Sequence, residues 1–79
     1  MQTIFIMVKT ELGRAYDVAN QVIDAELVSE VYSISGQYDL IMKCYLETGE
    51  DIGHFVSTKI QTQPGVRDTF TMIAFKAFS

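Results

Sequence analysis

Reactive side chains are scarce in this chain: Cys44 is its one cysteine and His54 its one histidine. Together they fall short of a structural zinc set, and a lone thiol forms no intrachain disulfide. His54 sits between Gly53 and Phe55, off the apolar stripe of its segment, and reads as a solvated histidine. A general base needs a nucleophile within hydrogen-bond reach, and none is legible beside it. Cys44 alternates in phase with Leu40 and Met42, which makes it a small buried apolar group. No glycine-rich phosphate loop, cysteine pair or second histidine is present, so no cofactor, metal or catalytic constellation is expected. Glu11, Asp17, Asp24, Glu26, Glu30, Glu47, Glu50 and Asp51 fall at helix starts, outer helix faces or turns, where acids are solvated or favour the helix dipole. Asp39 differs. It ends the tetrad Gly36-Gln37-Tyr38-Asp39 and opens an otherwise apolar strand, where polar backbone and sheet edge meet, a position that by itself favours an Asx-type turn cap.

The elements that must position Asp39 follow from periodicity. Thr3 to Lys9 is a strand with Ile4, Ile6 and Val8 on one side and Phe5 and Met7 on the other, apolar on both faces. From Arg14 the period becomes helical, with Ala15, Val18, Ala19, Val22 and Ile23 opposite Asp17, Asn20, Gln21 and Asp24. Val28 to Ser35 alternates again, with Val28, Tyr32 and Ile34 set against a more polar face of Ser29, Val31, Ser33 and Ser35. The tetrad then makes a hairpin into a third strand, where Leu40, Met42, Cys44 and Leu46 alternate with Ile41, Lys43 and Tyr45. Ile52, Phe55, Val56 and Ile60 mark a second helix that stops near Gln63, because Pro64 cannot continue it. A last strand is expected over 66–78. The order is ferredoxin-like βαββαβ, an α+β fold with a four-stranded antiparallel sheet and two helices on one face.

The helices cover one side of such a sheet, yet the first and last strands carry large apolar groups on both. With 48% hydrophobic residues in 79, one core cannot hide them all. The expected remedy is a second copy packed on the open face, giving a dimeric α+β barrel. Six cations against ten acids give a net charge of −4, and Lys9, Arg14, Lys43, Lys59, Arg67 and Lys76 are scattered. Direct nucleic-acid binding, which needs clustered cations, is not expected. Nor is a membrane span, a signal peptide or an oxidised cysteine. The expectation is one cytoplasmic domain over 1–79.

The run Val31-Tyr32-Ser33-Ile34-Ser35-Gly36-Gln37-Tyr38-Asp39-Leu40-Ile41-Met42-Lys43 resembles the effector (RAM) domain of the Lrp/AsnC transcription regulators. There an apolar strand is followed by Gly, any residue, Tyr or Phe, Asp, and a second apolar strand. Gln63-Pro64-Gly65-Val66-Arg67-Asp68-Thr69-Phe70-Thr71 is similar to the family's segment after the second helix, so the resemblance covers essentially the whole chain. It implies a domain regulating amino-acid metabolism, whose homodimers join into rings and bind an amino acid or similar small effector between dimers. Carried over, Ser35, Gly36, Tyr38 and Asp39 line the pocket from one subunit, with Thr69 and Thr71 contributing. Gly36 lets the ligand approach the backbone, Asp39 accepts from its ammonium group, and backbone N–H groups or the threonine hydroxyls receive its carboxylate. Full members also carry a helix-turn-helix domain that the 79 residues lack, which implies a stand-alone effector domain that co-assembles with full-length Lrp/AsnC regulators. Two other readings remain open here: a small dimeric α+β barrel enzyme, and a purely structural assembly partner.

Overall fold

The computed structural model describes residues 1–79. The order is β1 (Gln2–Thr10), α1 (Ala15–Asp24), β2 (Glu30–Ser33), β3 (Leu40–Leu46), α2 (Ile52–Ile60) and β4 (Val66–Ala74). Helix α2 starts as an α-helix over Ile52–Phe55 and widens to π geometry over Val56–Ile60. Asp51 caps it by accepting from His54 N at 3.0 Å, and the wide turn closes with Gln61 N donating to Val56 O at 2.8 Å.

The sheet is antiparallel in the order β2-β3-β1-β4. Its register decides the faces. Ile4, Ile6 and Val8 of β1 and Leu40, Met42, Cys44 and Leu46 of β3 point to the helices. There they close the core with Val18 and Val22 of α1 and Val56 and Ile60 of α2. Burial pushes the Cys44 thiol up to about 11. The opposite face is uncovered and carries Phe5 and Met7 of β1, Ile41 and Tyr45 of β3, Tyr32 of β2, and Phe70 and Met72 of β4. Tyr32, Phe70 and Tyr45 are 59%, 52% and 45% exposed, too much apolar surface on one face to be incidental.

Four expectations need correction. Strand β2 is shorter than Val28 to Ser35, because outside Glu30–Ser33 only single bonds continue it: Ser29 N to Lys43 O at 2.8 Å and Ile34 N to Asp39 O at 2.9 Å. Its core-facing side is the one that looks more polar, since Val31 and Ser33 pair with buried Met42 and Leu40 while Tyr32 lies opposite Ile41 on the open face. Strand β4 ends at Ala74 and not at Phe78. Ala74 pairs with Thr3, close to the start of β1, so the chain beyond has no partner strand, and Phe75 and Phe78 stand exposed. Ile23, read as part of the apolar stripe of α1, lies at its margin and is half exposed.

At the loop after α2, Gly65 has φ +96°, and its carbonyl accepts from Glu11 N at 2.8 Å. A Cβ there would meet Val18 Cγ2 at 3.1 Å and Arg14 Cβ at 3.2 Å, so both backbone conformation and space call for glycine.

Candidate functional site

The β2–β3 connection is held at several points. Ile34 N donates to Asp39 O, Asp39 N donates to Val8 O at 2.9 Å, and Gly36 makes the turn with φ +108°. The pairing of β1 with β4 is irregular between Lys9 and Thr10, and there Thr10 N donates to Asp39 Oδ2 at 2.8 Å, joined by Thr10 Oγ1 at 3.2 Å. Asp39 is therefore a clamp between the hairpin and the end of β1, and not the local Asx cap that its position suggests. Both bonds end on Oδ2, which leaves Oδ1 open.

The Thr10 amide, with help from its hydroxyl and from the Lys9 charge, holds the Asp39 carboxyl below its ordinary 3.8. A carboxylate with a depressed pKa in the fold stabilises it above the unfolded value, and that contribution disappears as pH falls through the folded value. Asp39→Asn keeps an acceptor for Thr10 N and removes the charge. The variant is expected to unfold at lower urea than the wild type at pH 7, and the gap should close as pH drops below about 4. Equal urea midpoints at pH 7 would show that the charge has no structural part.

Two adjoining cavities lie on the open side of the sheet beside the hairpin, and of Ser35, Gly36, Tyr38 and Asp39 only Tyr38 lines them. One, about 280 Å³, is lined by Lys9, Gln37, Tyr38 and Asp68. The other, about 370 Å³, is lined by Met7, Gln37, Tyr38 and Phe70. The Tyr38 and Phe70 rings lie 6.3 Å apart and tilted by 34°, and Lys9 Nζ donates to Gln37 O at 3.1 Å. Ser35, Gly36, Tyr38 and Asp39 share this hairpin end. Thr69 and Thr71 do not join them: they pair with Val8 and Ile6 and so face the helix side of β4, where Thr69 Oγ1 accepts from Gln61 Nε2 at 2.8 Å. Lys9, Asp68, Met7 and Phe70 are absent from the sequence-derived site. The alternation of β1 places Lys9 in phase with Phe5 and Met7, but only the β1–β4 register brings Asp68 opposite it.

A second polar group interrupts the open face further along. Tyr32 OH donates to Glu30 Oε1 at 2.6 Å, Lys43 Nζ lies 3.5 Å from Glu30 Oε2, and the same ammonium sits 5.2 Å from the centre of the Tyr45 ring. The Tyr32 hydroxyl holds the Glu30 carboxyl low, and Glu30 in turn raises the Tyr32 phenol. No group of three or more His, Cys, Asp or Glu side chains is arranged to hold a metal ion, and no helix is long and apolar enough to cross a membrane.

The model of the Lrp/AsnC ligand binding domain matches residues 3–79. The HTH-type transcriptional regulator FL11 of Pyrococcus abyssi is 35% identical over 72 residues, which is 91% of this chain and 47% of that protein. The chain thus spans about half the length of the curated relatives it matches first. The crystal structure of FFRP-DM1 superposes with a TM-score of 0.87 at 36% identity, over 95% of this chain and 100% of that one. A transcriptional regulator of Neisseria meningitidis, solved in complex with L-Met, shares the fold with a TM-score of 0.85 at 20% identity, over 99% of this chain and 52% of that one.

Proposed function

Because the chain belongs to the family of Lrp/AsnC ligand binding domains, regulatory and not catalytic modules, we propose that it binds an amino acid or similar small effector at the β2–β3 hairpin and assembles through its open sheet face. The observation that carries this reading is the fixed hairpin: Asp39 ties it to β1, and its Gln37 and Tyr38 wall two cavities on an uncovered apolar face. Such a notch is preorganised, so little ordering cost is left to the binding step. A second copy covering Phe5, Met7, Ile41, Tyr45 and Met72 makes a dimeric α+β barrel, and homodimers that join further make a ring.

Ser35, Gly36, Tyr38 and Asp39 on one copy supply the hairpin side of the pocket. Thr69 and Thr71 face the other side of their own sheet, and in this reading they serve the pocket of a neighbouring copy. That arrangement ties effector binding to assembly, since only joined copies offer the full set. It also suits mixed assembly with full-length Lrp/AsnC regulators, whose output this chain would then tune by mass action.

The test pairs light scattering with thermal unfolding across a panel of L-amino acids. A dimer or larger mass is expected without effector, with at least one amino acid raising the unfolding temperature and changing the mass. A monomer at high concentration that no amino acid stabilises would end this reading.

A further inference from the structure

The sheet ends in two edge strands, β2 and β4. On the helix side of the β2 edge lies a groove of about 250 Å³ between Tyr16, Ala19 and Ile23 of α1 and Val31 and Ser33 of β2. Hydrogen bonding in an antiparallel pair alternates, and Ile34 N donates to Asp39 O. Counted back along the register, Tyr32 bonds to Ile41, while Val31 and Ser33 turn their N–H and C=O groups away from β3. The residues that line the groove thus also offer unpaired backbone beside it. The tail after β4 has the converse lack. Residues 75–79 lie in no strand, and Phe75 and Phe78 are 95% and 89% exposed. Continued from β4, where Thr69 and Thr71 face the helix side, the alternation puts Phe75 and Ala77 on that side and Lys76 and Phe78 on the other. The tail cannot serve its own β2. Ala74 pairs with Thr3 at the far edge, three strand spacings or about 14 Å away, and five extended residues span about 17 Å, which leaves about one to pair.

We propose that residues 75–79 of one copy add as a strand to the free β2 edge of a second copy, with Phe75 in the groove between Tyr16, Ile23 and Val31. This rests on the sheet-to-sheet assembly reading and adds to it a reciprocal contact, in which each copy gives its tail and receives its partner's. The open faces of both copies point into the shared contact, so a tail passing from one sheet to the other keeps its sides. Phe75 and Ala77 then enter the groove beside Val31 and Ser33, and Lys76 and Phe78 come to the face that carries Glu30 and Tyr32, an acid and a ring. Main-chain bonds at Val31 and Ser33 set the register, and Phe75 supplies the apolar burial. An edge that otherwise recruits any extended chain is closed by the protein's own.

Sedimentation equilibrium tests it, with circular dichroism as the check that each variant keeps the fold. Removal of residues 75–79 and Phe75→Ser should each raise the dissociation constant of the pair at least about tenfold, the worth of one buried phenylalanine. Ser33→Pro should do the same, because its ring removes an outward N–H that β3 does not use. In the full-length chain, Phe75→Cys mixed with Val31→Cys or Ser33→Cys and then oxidised should give a disulfide between copies in at least one of the two mixtures. Its yield should exceed that of Phe75→Cys mixed with Thr62→Cys, an exposed position just beyond α2, and buried Cys44 stays out of the exchange. Unchanged association of the truncated chain or of Ser33→Pro, or a cross-link no more abundant than the control, would overturn the tail exchange while leaving the sheet-to-sheet contact standing. A wild-type chain that stays single at high concentration overturns both.

Discussion

Phe5→Lys is expected to separate the proposed sheet-to-sheet assembly into single copies at concentrations where the wild type is joined, read by sedimentation velocity or light scattering. Phe5 lies mid-sheet on β1, opposite Lys43 on one side and Met72 on the other, with its ring on the uncovered face. The replacement puts a second ammonium across from Lys43, which already pairs with Glu30. Like charges directly opposite repel, and once a second sheet closes over them two ammonium groups compete for the one carboxylate beside them, Glu30. An uncompensated charge buried at a contact costs about 3–5 kcal/mol, a rise of roughly a hundredfold or more in dissociation constant. Within one copy the position faces away from the core, so the circular dichroism spectrum should be retained. A variant that stays joined at low micromolar concentration would show that the copies meet elsewhere.

Gly65→Ala is the single methyl group with the largest expected effect on folding. A non-glycine residue in the left-handed region costs about 1–2 kcal/mol, and overpacking against a close neighbour adds about 1–3. Both apply at Gly65, where the added carbon meets Arg14 Cβ and Val18 Cγ2. Val18 is fully buried, and the Gly65 carbonyl holds Glu11 N, so neither side can yield without disturbing the core or the entry to α1. The expected loss is roughly 2–5 kcal/mol in urea unfolding, with Gly36→Ala, open around its Cβ, losing only the conformational part. Equal losses for the two variants would exclude the contact with α1 as a cause.

Much of the fold is legible because its two periods are clean. The alternation of Leu40, Met42, Cys44 and Leu46 and the helical spacing of Val18 and Val22 each coincide with full or near-full burial. Pro64 and Gly65 mark the break before β4 as expected. Alternation does not say which side of a strand meets the core, and β2 shows why: Val31 and Ser33 face the helices because β3 dictates it, while the larger Tyr32 is left outside. The end of β4 is illegible for a related reason. Residues 75–78 have strand-like composition, but a strand exists only where another pairs with it. The hairpin residues are readable as a group because they are contiguous. Asp39's bond to Thr10, the facing of Lys9 and Asp68, and the placement of Thr69 and Thr71 on the helix side depend on long-range register, which local patterns do not carry.

Cys44 brings a practical benefit. Its thiol is the sole one in the chain, wholly shielded within β3, and protonated far above neutrality. An aromatic disulfide reagent meets it only after the strand leaves the sheet, so the pace of colour release clocks global opening, residue by name and without any engineered label. Run with an effector present and absent, the same clock converts binding into a change in lifetime.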